Sequence, residues 1–183
     1  MESARSYELV EDGDEGAKFV EWLSADDESV VADVDGGSFG RPVSIGGVRE
    51  GYMQIDRRFD ERFPWRQGVV KSISSFYLGK CGVPIGHIDC LIVDSPPMGG
   101  LVGWIFFVYI VPEDRGQGAG KAMVELATKS FPSGMSVYCT VVQSNVRAKK
   151  FYEALSFLCV STHELPGGFT IDLMEKRSSA DDS

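Results

Sequence analysis

The sequence has few residues of the kinds that build metal centres or disulfide frameworks. It contains 4 cysteines and 2 histidines among 183 residues, and no two cysteines form a C-x-x-C pair. We therefore expect reduced thiols, partly buried on strands, and neither disulfides nor a bound metal. The residues concerned are Cys81, Cys90, Cys139, Cys159, His87 and His163.

Long hydrophobic segments are also missing. The most apolar run, residues 101–111, is too short to span a bilayer. The first residues, Met1 to Arg5, lack the basic and apolar regions of a secretory signal. These features predict a cytoplasmic protein without a membrane partner.

The net charge of −9 is concentrated near the N-terminus. Residues 1–35 carry twelve acidic side chains against two basic ones, whereas residues 36–183 carry fifteen against sixteen. Such a nearly neutral body is unsuited to nucleic acid or to an anionic membrane. An acidic rim would favour a cationic amine as ligand, although an acidic run is more often a solvated surface.

A glycine-rich turn follows the apolar run. Residues 101–111, LVGWIFFVYIV, predict a strand buried on both faces, which Pro112 ends. Gly116, Gly118 and Gly120 then remove Cβ atoms where the chain enters a helix, so backbone N–H groups can approach a ligand closely. With the positive end of the helix dipole behind them, these amides predict a phosphate site.

Two familiar phosphate-binding motifs do not fit this turn. A P-loop would need glycine at Arg115 and serine or threonine at Ala122. A dinucleotide-binding fingerprint would need glycine or alanine at Lys121. The turn instead resembles the acyl-CoA signature R-x-x-G-x-G of the GNAT superfamily of N-acyltransferases, in Arg115, Gly118 and Gly120.

A second segment carries the same resemblance. Residues 145–157, NVRAKKFYEALSF, are similar to the family's helix N-x-x-A-x-x-F-Y-E-x-x-G-F. Ser156 stands where glycine is usual, which leaves the geometry of that helix's C-terminal cap open. The resemblance covers residues 69–176 and extends to a first strand and helix, whereas residues 24–68 match nothing in the family.

The order of predicted elements, β-α-(α)-β-β-β-α-β-α-β-β, indicates an α/β fold with a mixed seven-stranded sheet. Residues 70–78 and 83–93 form a hairpin in this prediction. The resemblance implies a mostly antiparallel GNAT-type sheet whose fourth and fifth strands splay apart around the cofactor arm. We expect one domain over residues 1–177, an acceptor-side insertion at 25–68 with the composition of a lid, and a disordered tail at 178–183.

The resemblance implies acetyl-CoA as the acyl donor. The main chain of the fourth strand would bind the pantetheine arm, and the glycine turn would bind the pyrophosphate with help from Arg115. Asn145 would be a further polar contact to the arm. The implied cofactor-binding residues are Val108, Tyr109, Ile110, Arg115, Gly116, Gln117, Gly118, Ala119, Gly120, Lys121 and Asn145.

The resemblance also implies that Tyr152 is the general acid, although its ring could equally be a core aromatic. Many relatives carry a carboxylate on the fourth or fifth strand, but residues 99–111 and 135–142 contain none. The general base is therefore unassigned. His87 and Asp89 alternate onto one face of the third strand and could act directly or through water. Solvent-facing positions for both, a water relay and an already deprotonated amine are equally open.

An aromatic trio marks a possible acceptor pocket. Phe59, Phe63 and Trp65 could line it, or a short helix could simply pack them onto the sheet. We expect an N-acetyltransferase that acts by direct attack in a ternary complex on a primary amine of a small molecule, peptide or protein. The chain would be a monomer or a homodimer. The alternative is a non-catalytic acyl-CoA-binding or sensor module, which the missing strand carboxylate favours.

Overall fold

The computed structural model describes residues 7–11, 68–165 and 169–177. The predicted lid, the helices predicted before residue 68, the trio Phe59, Phe63 and Trp65, and the tail at 178–183 lie outside these residues. No helix of the described segments is long and apolar enough to cross a membrane. The elements are β1 (Tyr7–Glu11), β2 (Val69–Lys80), β3 (Val83–Ser95), β4 (Gly100–Ile110), α1 (Ala119–Ser130), β5 (Val137–Val142), α2 (Val146–Ala154), β6 (Leu158–Leu165) and β7 (Phe169–Lys176).

The strands form one sheet in the order β1-β2-β3-β4-β5-β7-β6. Every neighbouring pair is antiparallel except β4 and β5, which are parallel. Only two residue pairs join β4 to β5, Gly103 with Val137 and Trp104 with Tyr138. Beyond them the strands separate. The predicted mixed, mostly antiparallel seven-stranded sheet with splayed fourth and fifth strands is confirmed.

A bulge in β4 lies where this separation begins. On β3, Asp89 pairs with Phe107 and the next residue, Cys90, pairs with Ile105, so Phe106 is an extra residue in β4. A bulge bends its strand and leaves the extra residue outside the ladder. The bulge is therefore well placed to turn β4 away from β5.

The hairpin predicted between β2 and β3 turns at Cys81 and Gly82. Both residues have positive φ, +54° and +76°. Two such residues are what a type I′ turn requires, and this turn matches the right-handed twist of the paired strands.

The two helices share one face of the sheet. A Cβ atom at Gly86 of β3 would lie 3.3 Å from Met123 Sδ of α1, so even-numbered residues of β3 face α1. Tyr152 of α2 belongs to the same buried cluster as Met123. The other face carries a second cluster, consisting of Leu91, Val93, Val102, Trp104, Tyr138, Ile171 and Leu173.

A buried carboxylate fixes α2 to the outer strands. Asp172 of β7 is fully buried and pairs with Lys149 Nζ of α2. It also accepts a 2.7 Å hydrogen bond from Thr162 Oγ1 of β6. Burial would raise the pKa of Asp172, but the hydrogen bonds from Lys149 and Thr162 outweigh burial and lower it.

Replacing Asp172 by asparagine is expected to lower the free energy of unfolding at pH 7 by about 1–2 kcal/mol. The loss is modest because Lys149 can turn to solvent. A carboxyl whose folded pKa is lowered stabilises the fold above its unfolded pKa, about 3.9, and that stability is lost as the pH falls through the folded pKa. Urea unfolding across pH 2–7 should show the two proteins converging in acid.

Asp94→Asn is the matched control, because the ion pair that Asp94 forms with Lys71 at 3.4 Å is exposed. It should change stability little at any pH. A difference between wild type and Asp172→Asn that does not vary with pH would contradict a charge-dependent role.

Candidate functional site

The N-terminus of α1 presents backbone donors that have no acceptor within the helix. Gly118 precedes the helix, and no side chain caps it. The amide of Ala122 donates to Gly118 O at 3.0 Å. The amides of the three preceding residues, 119–121, belong to the first turn and have no acceptor within the helix. Together with the helix dipole, they form a site suited to an anion.

Two glycines keep this site open. Gly116 and Gly118 have φ values of +71° and +90°, and among the described residues no atom beyond their chain neighbours lies within 4 Å of where a Cβ would be. Both residues therefore need the left-handed conformation that glycine tolerates. A side chain at either position would enter this open space.

Gly120 has a different role from the other two glycines. A Cβ at Gly120 would lie 3.5 Å from Phe151 Cε2 of α2 and 3.7 Å from Ile110 Cγ1. The first turn of α1, the end of β4 and one side of α2 therefore meet at this point, which is also the mouth of the opening between β4 and β5.

The side chain of Arg115 folds back onto β4. Its Nε donates a 2.7 Å hydrogen bond to Ile110 O, and its Cζ lies 5.3 Å from the centroid of the Tyr109 ring. The pKa of Arg115 is lowered, first by burial and then by the charge of Arg147. Arg115 is thus held at the mouth of the opening.

The main chain of β4 alternates between β3 and the opening. Val111 N donates to Ile85 O at 2.9 Å, so the main-chain groups of Val111 and Tyr109 face β3. Those of Val108 and Ile110 face the opening instead. Val108, Tyr109 and Ile110 were all expected to bind the cofactor arm through their main chain. The main-chain groups of Tyr109 instead face β3, and its ring contacts Arg115.

The remaining predicted cofactor residues have local contacts of their own. Asn145 caps α2, because its side chain accepts a 3.0 Å hydrogen bond from Ala148 N. Gln117 Nε2 donates to Glu113 O at 2.6 Å. Lys121 is exposed and lies 3.8 Å from Glu125 Oε1. Contacts of Asn145, Gln117 and Lys121 with a cofactor stay predictions.

Tyr152 is buried on the inner side of α2. Its ring meets those of Phe151 and Phe157 edge-on, with centroids 5.1 and 5.3 Å away. Ser156, which replaces the usual glycine, adopts a φ of +68°. The amide of Phe157 then bonds to Tyr152 O at 3.0 Å. The helix therefore ends with the left-handed cap that glycine would give.

His87 and Asp89 form a hydrogen-bonded pair. His87 Nε2 lies 2.9 Å from Asp89 Oδ1, and His87 is only 8% exposed. Both project from the face opposite α1, and His87 is paired with Tyr109 of β4. A solvent-facing position for His87, which the sequence left open, is wrong.

A carboxylate that the sequence analysis missed lies beside the opening. Tyr138 OH donates a 2.8 Å hydrogen bond to Glu175 Oε1 of β7, and Arg177 Nε donates to Oε2 at 3.1 Å. Tyr138 belongs to the last pair before β4 and β5 separate. The signal in the sequence is the alternation of Ile171, Leu173 and Glu175, which places an acid in line with two apolar residues.

The contacts of Glu175 keep it ionised. Burial would raise its pKa, but the hydrogen bonds from Tyr138 and Arg177 outweigh burial and lower it. The pKa of Tyr138 is raised to about 12, first by burial and then by its hydrogen bond to Glu175. The ionised Glu175, with Arg177 as its ion-pair partner, therefore lies on the same face of the sheet as His87 and Asp89.

Residues 8–157 match the model of the acetyltransferase (GNAT) family. The match covers most of the chain, and the protein belongs to this family. The resemblance seen in the glycine turn and in α2 is thus confirmed. No curated protein matches the sequence.

Solved structures share the fold at low sequence identity. An acetyltransferase from Thermus thermophilus is 18% identical with a TM-score of 0.61, over 94% of this chain and 97% of that one. Arabidopsis thaliana Naa50 in complex with the bisubstrate analogue CoA-Ac-MVNAL is 15% identical with a TM-score of 0.56, over 93% and 98%. Arabidopsis thaliana NAA60 in complex with a bisubstrate analogue is 21% identical with a TM-score of 0.51, over 76% and 98%.

Proposed function

We propose that this protein transfers an acetyl group from acetyl-CoA to a primary amine by direct attack in a ternary complex. The observation that carries the proposal is the opening between β4 and β5, with the unsatisfied amides of α1 and the guanidinium of Arg115 at its mouth. Membership of the acetyltransferase (GNAT) family supports it.

The cofactor would lie with its phosphates at the first turn of α1 and its pantetheine arm along β4. The outward main-chain groups of Val108 and the outward amide of Ile110, whose carbonyl already accepts from Arg115, would bind the arm as a neighbouring strand would. The bulge at Phe106 supplies a backbone amide outside the β3 ladder at the depth where the strands separate. Such an amide can stabilise the oxyanion that forms when an amine attacks a thioester.

Two proton transfers complete the reaction. The amine nitrogen forms a bond to the carbonyl carbon, the carbon–sulfur bond breaks, and the thiolate takes a proton from Tyr152. The attacking nitrogen loses its proton to His87, which Asp89 orients. His87→Gln should lower kcat/KM about tenfold, less than loss of the acid would, because solvent can also accept this proton. An unchanged kcat/KM would exclude His87 as the base.

An acceptor amine that arrives as an ammonium ion, and gives one proton to solvent before it attacks, fits the carboxylates on this face. Glu175 and Asp89 both project from the face opposite the helices. The bisubstrate analogue in the Naa50 complex, CoA-Ac-MVNAL, supports including peptide amines among the candidates. Small-molecule amines, including those with more than one cationic group, are the other class.

A thiol-release assay with acetyl-CoA tests the proposal. The panel should contain a peptide with a free N-terminus, the same peptide blocked at its N-terminus but carrying a lysine, a polyamine and an acidic amino acid. Release that depends on one of these amines is expected. CoA binding without release for any amine would instead indicate an acyl-CoA-binding module, which the lack of carboxylates on β4 and β5 favours.

A further inference from the structure

Arg147 occupies an electrostatically unfavourable position. It is the second residue of α2, directly after the Asn145 cap and Val146. The N-terminus of a helix carries partial positive charge, so a cation there is destabilising. Arg147 is exposed, and no carboxylate of residues 7–11, 68–165 or 169–177 lies within ion-pair distance of it.

The packing of α2 shows which way this side of the helix faces. Arg147 precedes Phe151 by four residues and therefore lies on the same side of α2, one turn nearer the N-terminus. Phe151 packs against Gly120 in the first turn of α1 and against Ile110 at the end of β4. Arg147 is accordingly on the side of α2 that faces the first turn of α1.

Four sources of positive charge meet at this point. They are the N-termini of α1 and α2 and the guanidinium groups of Arg115 and Arg147. The two arginines are close enough for the charge of Arg147 to contribute to the lowered pKa of Arg115. Positive charges gathered in this way repel each other, and an anion bound between them removes the conflict.

We propose that Arg147 binds a phosphate group of coenzyme A and acts together with Arg115. This inference rests on the proposed function, because it takes coenzyme A as the ligand. A guanidinium offers a planar pair of donors that matches two phosphate oxygens. The unfavourable position of Arg147 in the free protein is then compensated when the cofactor binds.

The decisive measurement is the Kd for CoA of Arg147→Ala by calorimetry at low salt. The variant should bind about tenfold more weakly, as expected for loss of a hydrogen bond to a charged group. Arg147→Lys keeps the charge but loses the paired donors. Its Kd for CoA should therefore lie between those of Arg147→Ala and wild type. Thermal unfolding of Arg147→Ala without CoA should be unchanged or shifted upwards, because a cation has been removed from a helix N-terminus.

Lys129→Ala is the matched control. Lys129 is exposed in the last turn of α1, so this variant removes the same charge about 15 Å along the helix from its N-terminus. Its Kd should equal that of wild type. If Arg147→Ala binds CoA as tightly as Lys129→Ala does, the proposal is overturned.

Dephospho-CoA identifies the phosphate concerned. If Arg147→Ala loses affinity for CoA but not for dephospho-CoA, Arg147 contacts the 3′-phosphate. If it loses affinity equally for both ligands, Arg147 contacts the pyrophosphate. Either result supports a phosphate contact. Failure of the proposed function would look different, because wild type itself would then either not bind CoA or bind it without releasing thiol to any amine.

Discussion

Replacing Tyr152 by phenylalanine is expected to lower kcat on the order of 100-fold while leaving the affinity for acetyl-CoA nearly unchanged. The substitution keeps the ring, which packs edge-on against Phe151 and Phe157. It removes only the hydroxyl that would protonate the departing thiolate. Phenols and alkyl thiols have similar ordinary pKa values, about 10 and 8.5, so this transfer needs little driving force.

Steady-state thiol release measures kcat, and calorimetric titration measures the affinity for acetyl-CoA. Tyr7→Phe serves as the matched control, because it removes a buried hydroxyl from β1, at the opposite edge of the sheet from β6. The control should keep the wild-type kcat. A kcat for Tyr152→Phe within about threefold of wild type would remove Tyr152 from the mechanism.

Gly118→Glu is expected to weaken acetyl-CoA binding on the order of 100-fold or more. The carboxylate would enter the space beside the first turn of α1, where no atom now lies within 4 Å of a Cβ. It would both satisfy the helix N-terminus and repel the phosphates. Calorimetric titration of the folded variant measures the loss.

The control for Gly118→Glu must reproduce its backbone strain as well as its charge. Gly99, before β4, has a φ of +91°, against +90° for Gly118, and equally open surroundings. Gly99→Glu therefore carries the same strain and the same charge at the other end of β4. It should bind acetyl-CoA like wild type. Equal affinities for the two glutamate variants would mean that the glycine turn does not hold the cofactor.

The elements that carry the cofactor site could be predicted because their signals are local. The apolar run before Pro112 predicts β4, and the glycines that follow predict an open turn into α1. The helical stripe of Ala148, Tyr152 and Leu155 likewise predicts α2. In each case the residues that determine the element lie within it or next to it in the sequence.

The charged groups beside the opening could not be predicted, because they come together only in the folded sheet. Tyr138 and Glu175 are 37 residues apart in the sequence and meet through the β5–β7 ladder. The proximity of Arg147 to Arg115 depends on how α2 packs against α1. The buried position of His87 depends on what covers its face of β3, which alternation alone does not specify.

The seam between β4 and β5 has a mechanical consequence. A sheet resists bending because each inner strand is bonded along its length to two neighbours, but here only two residue pairs link a four-stranded plate to a three-stranded one. Bending of the sheet should therefore be easiest at these pairs. A cofactor arm bonded along β4 would act as an eighth strand in the gap. The sheet would therefore become stiffer when the cofactor binds and more flexible again each time the product leaves.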